Sequence, residues 1–73
     1  MDRDWSDFVD LCDDEILRAE DIPEAGHDFA MSVTDKLKGM KKWAEENEHA
    51  TEKMWGAAER MRGGIGKWLN GRD

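Results

Sequence analysis

Between Thr51 and Leu69 the apolar side chains Met54, Ala58, Met61, Ile65 and Trp68 fall at steps of four, three, four and three, drawing one stripe down a helix. Thr51 is placed to accept a hydrogen bond from a backbone N–H one turn on, and Glu52 sets negative charge at the positive helix end. An amphipathic helix cannot bury its own stripe, so the rest of the chain must cover it.

Two further stretches carry the same period. From Asp4 to Arg18 the series is Trp5, Phe8, Val9, Cys12 and Ile16, with Asp4 as the expected cap and Asp7 complementing the dipole. From residue 24 to 47 it is Phe29, Ala30, Val33, Leu37, Met40, Trp43 and Ala44. Between these two stretches lies AEDIPEAG, where the only proline, Pro23, disfavours helix at Ile22 and suits a first helical turn. Ile22 is expected to plug the connector.

No strand-period alternation and no internal repeat occur. The expected fold is therefore all-α: a single compact three-helix domain over residues 1–73, with helices near 4–18, 24–47 and 51–63 or on to 69. The polar segment EENEHA makes helices 2 and 3 an antiparallel hairpin, whose groove helix 1 covers. Its core is expected to hold Phe29, Val33, Leu37, Met40, Met54, Ala58 and Met61. Gly63, Gly64 and Gly66 remove roughly 2 to 3 kcal/mol of helix propensity, so helix 3 is expected to fray, bend or stop near Arg62.

Charge is unevenly shared. Residues 1–28 hold 11 acids against Arg3 and Arg18, a net of −9, while residues 29–73 carry a net of +2, within a total of −7. There is no run of 18 apolar residues, and the acidic start MDRDWSDF is unlike a signal peptide. The lone Cys12 has no partner for a disulfide or a metal site, and it reads as a small buried hydrophobe in a reducing compartment. A cytoplasmic location is the expectation, with no membrane partner.

The pattern Phe29-x-x-Ser32, then Lys36-Leu37, then Thr51-Glu52-Lys53 with Ala58, Arg60 and Met61 behind it, resembles a helical hairpin found in small bacteriophage-encoded proteins. The usual form has glutamine where Met54 stands and leucine where Ala50 stands. The resemblance covers residues 29–61 and implies a phage or prophage source, and thus the cytoplasm of a host cell, rather than any one activity.

Function is expected to lie on the surface. Asp7, Asp10 and Asp14 recur at helical spacing, about 5 to 6 Å apart along one edge, which approaches the spacing of phosphates on a nucleic-acid strand. With Asp13, Asp21 and Glu24 they form a candidate partner-binding edge able to imitate DNA, the kind of decoy by which phage proteins, anti-CRISPR proteins among them, block host defence enzymes. The plain alternative is a solvated face that keeps the protein soluble.

A second candidate surface is apolar, formed by Trp43, Trp55, Trp68 and Leu69, since four tryptophans and five methionines exceed what a thin core absorbs. Trp55, Trp68 and Leu69 are also the expected seam of a homodimer. Lys36, Lys38, Lys41 and Lys42, and again Arg60, Arg62, Lys67 and Arg72, form basic bands too well compensated for direct nucleic-acid binding.

Catalysis has little support. His27 and His49 flank helix 2, roughly 33 Å apart along a straight helix, and GGIG lacks the Lys-Ser/Thr of a phosphate loop. No catalytic residue, metal or cofactor is expected. The reading is a non-enzymatic module that binds another protein, an inhibitor of a host nucleic-acid enzyme. The alternative is a structural, homo-oligomerising scaffold.

Overall fold

A computed structural model describes residues 4–70. Among the described residues it is all-α: α1 spans Trp5–Ala19, α2 His27–Asn47 and α3 Glu52–Asn70, with a 3-10 turn at Glu24–Gly26. Helix α1 winds down through short bonds, Asp21 N–H to the Arg18 carbonyl and Ile22 N–H to the Ala19 carbonyl. Pro23 is extended (φ −63°, ψ 161°) and its carbonyl accepts the Gly26 N–H at 2.8 Å, so the proline starts a 3-10 turn, with the α-helix following from His27. Ile22 is buried, as a plug should be.

The helix starts differ in how they are capped. The Thr51 hydroxyl accepts the Met54 N–H at 3.1 Å, closing the first turn of α3. Asp4 occupies the start of α1, but its side chain makes no capping bond; its backbone carbonyl accepts from Asp7 and Phe8 instead. At the end of α2 the Ala44 carbonyl accepts the N–H groups of both Glu48 and His49, while Glu48 takes the left-handed conformation (φ 49°). His49 then lays its ring edge-on to Trp43, centroids 6.3 Å apart, which clips the turn onto the helix.

Cross-helix contacts fix the directions. Phe29 near the start of α2 meets Gly64 and Trp68 near the end of α3, and Met40 and Trp43 share a groove with Thr51 and Met54, so α2 and α3 run antiparallel. Phe8 meets Trp55 and Glu15 meets Arg62, so α1 runs parallel to α3. The closest pair of helices is α1 with α2. The core is Phe8, Cys12, Ala19, Ile22, Val33, Leu37, Ala44, Trp55, Ala58 and Ile65, with Phe29, Met40, Met54 and Met61 packed half-buried around it. Of the expected hairpin core, Val33, Leu37 and Ala58 are fully inside and the rest line its edge.

Helix α3 passes through its glycines without stopping at Arg62 and remains helical to Asn70. Packing overrides local propensity here. A Cβ on Gly64 would stand 2.7 Å from Phe29 Cζ, and one on Gly26 would stand 2.6 Å from Ile22 Cγ2 and 2.9 Å from Trp68 Cδ2. The missing methyl groups let the Phe29 and Trp68 rings, 6.4 Å apart, press against backbone, and Ile65 is fully buried beside them.

Gly63, by contrast, faces open space. Gly63→Ala is therefore expected to raise stability by about 0.5 to 1 kcal/mol, whereas Gly64→Ala lowers it by about 1 to 3 kcal/mol through overpacking against Phe29. Urea unfolding midpoints test the pair, and equal shifts of the same sign would contradict the packing.

Candidate functional site

Helix α1 sorts its carboxylates into two groups. Its inward face is Phe8, Cys12, Glu15 and Ala19, steps of four, three and four, all buried. Glu15 alone is charged among them, its side chain 3% exposed, and it accepts hydrogen bonds from Arg18 Nη1 at 3.1 and 3.3 Å. Arg62 Nε of α3 approaches the same carboxylate to 3.6 Å. A carboxylate held this far from water needs such partners, so Glu15 ties α1 to α3 and is spent on the fold.

Asp13 sits at the rim, 2.7 Å from Lys41 Nζ on α2. The hydrogen bond to Asp13 holds the Lys41 ammonium above its usual pKa, ahead of a smaller opposing effect of burial. Of the six acids expected to form a recognition edge, Asp13 is thus turned to an internal partner. Asp7, Asp10 and Asp14 are exposed on the outer face of α1, and Asp21 and Glu24 are exposed in the connector. No cation among the described residues pairs with these five.

Leu17, 62% exposed, lies among them, one turn beyond Asp13 and Asp14. Sequence reasoning passed over both Leu17 and Glu15. The signal for Glu15 was present in its spacing, since it falls in step with Phe8, Cys12 and Ala19.

The expected apolar surface is not contiguous. Trp55 is 7% exposed and stands edge-on to Phe8, centroids 5.2 Å apart, so it belongs to the core and offers nothing to a partner. The reason is register: Trp55, Ala58 and Ile65 form the buried line of α3, rotated toward α1 from the line through Met54 and Met61. Trp68 and Leu69 are half-buried against the core, Trp68 over Gly26. Trp43 remains, 43% exposed at a shallow groove formed with Gly39, Met40, Thr51 and Met54.

His27 and His49 lie at opposite ends of α2. The described residues contain no cluster of three or more His, Cys, Asp or Glu able to hold a metal, and no helix among them is long and apolar enough to cross a membrane. Arg72 of the basic band lies outside the described residues. No protein-family model, curated protein or solved structure matches the chain.

Burial raises the Cys12 thiol to a pKa of about 11, with Asp13 adding to the shift and Lys41 opposing it. The folded state therefore disfavours the thiolate, and stability is full below the ordinary thiol pKa of 9.0 and falls as pH rises from there through about 11. Alkylation of Cys12 near pH 8.5 is expected to be slow in the native protein and fast in urea. Equal rates in the two states would contradict a buried thiol.

Proposed function

We propose that the protein is a non-enzymatic binding module that engages a basic surface of another protein, the nucleic-acid groove of an enzyme, through the outer edge of α1. One observation carries this reading: the fold neutralises Glu15 and Asp13 with Arg18, Arg62 and Lys41, yet leaves Asp7, Asp10, Asp14, Asp21 and Glu24 exposed and unpaired among the described residues. Carboxylates at successive helical turns repeat about every 5 to 6 Å, which approaches the separation of neighbouring phosphates along a strand. Leu17 adds an apolar contact within the same edge.

In its fuller form the reading is an inhibitor of a host nucleic-acid enzyme; the phage-hairpin resemblance bears only on the place, the cytoplasm of a host cell. Complementary charge steers association and makes it sensitive to salt. Immobilised protein is expected to capture its target from lysate of the source cells at low ionic strength, and to release it on addition of duplex DNA or salt. Reversing Asp7, Asp10 and Asp14 to lysine abolishes capture, whereas Trp43→Ala leaves it within about threefold. Capture that resists DNA and salt but fails with Trp43→Ala would move the anchor to the apolar groove and overturn the reading.

A further inference from the structure

The solvent face of α2 has a property that the acidic edge lacks: it is complementary to itself. Leu37 is fully buried at the middle of α2, so at that level the helix presents Asp35 and Gly39 outward. Six residues before Leu37 lies Met31, 53% exposed on the side toward α1; six residues after it lies Trp43, 43% exposed on the side toward α3. Two of the three large exposed hydrophobics of the described residues therefore sit at matching heights, roughly 9 Å either side of one point, and on opposite flanks.

We infer that the outer face of α2 binds a second copy of this chain, in antiparallel fashion about a two-fold axis at the level of Leu37. Such an axis exchanges both the ends of α2 and its flanks, so Trp43 meets the partner's Met31, and the contact occurs twice. Around Met31 lies a shallow groove between α1 and α2 in which Ala19, Ile22 and Ala30 share the lining with polar side chains, Asp35 and Lys38 among them, and it gives the partner's indole a concave, partly apolar seat.

The charges follow the same symmetry. The operation sets Asp35 over the partner's Gly39, whose outer side is open, with nothing within 4 Å of an added Cβ. There the carboxylate lies between the partner's Lys38 and Lys42. Asp35, Lys38 and Lys42 are all exposed and make no ion pair within one copy among the described residues. The same operation sets Lys36 beside the partner's Lys38 and Asp28 opposite the partner's Glu46, like-charge pairs that oppose the association and make it weak.

Sedimentation equilibrium tests the interface at low ionic strength from low to high micromolar protein, with circular dichroism confirming that each variant keeps its helices. The wild-type mass is expected to rise from 8.4 kDa toward twice that value. Trp43→Ala, Asp35→Lys, and the double variant Lys38→Glu with Lys42→Glu each weaken association by about tenfold or more. An equimolar mixture of the Asp35→Lys chain and the Lys38→Glu/Lys42→Glu chain recovers the dimer, because opposite charges again face each other across the axis. A wild-type mass of 8.4 kDa at every concentration overturns the inference. Charge variants that associate like the wild type, or a mixture that stays monomeric, overturn it equally.

Discussion

The close approach of two aromatic rings to glycine backbone is the constraint on which the rest of the fold depends. Phe29 rests on Gly64 and Trp68 rests on Gly26, so the end of α3, the start of α2 and the connector from α1 meet in one contact. Three glycines in four residues would leave an isolated helix frayed. Here one of them admits an aromatic ring to the helix surface, and burial of Ile65 and partial burial of Trp68 and Leu69 outweigh the lost propensity.

Charge is sorted by the same three-helix packing. The Arg62 guanidinium of α3 reaches Glu15, and α1 lies parallel to α3 with its acidic inner residue neutralised. Lys41 on α2 neutralises Asp13 from the other side. The remaining acids of α1 and the connector are turned outward, so a chain of net −7 presents much of its uncompensated charge on one edge. Like charges one turn apart weaken a lone helix by tenths of a kcal/mol each, and the buried face of α1, with Phe8 and Cys12 fully enclosed, supplies the compensation.

Much of this was legible in the sequence, and the parts that were not share a cause. The period of the apolar residues gave three helices, the Thr51 cap and the Ile22 plug, because each depends on neighbours within one turn. The fate of Gly64 depends on Phe29, 35 positions away, and no local propensity carries that contact. Trp55 was misplaced for a related reason: two stripes on α3 differ by a small rotation, and only Phe8 on another helix selects the one that is buried. Glu15 was passed over because its charge masked its position in the buried series. The exposure of Asp7, Asp10, Asp14, Asp21 and Glu24 follows from their polar positions, while Asp13 lies close enough to α2 to find Lys41.

Native-state hydrogen exchange along α3 tests the aromatic and glycine contact most directly. Amides from Ile65 to Leu69 are expected to be protected to a degree similar to those from Ala58 to Arg62, and Trp68→Ala should strip protection from the later set while largely sparing the earlier one. Rapid exchange beyond Arg62 in the unaltered protein would contradict the account, because it would show that the glycines end the helix despite Phe29 and Trp68.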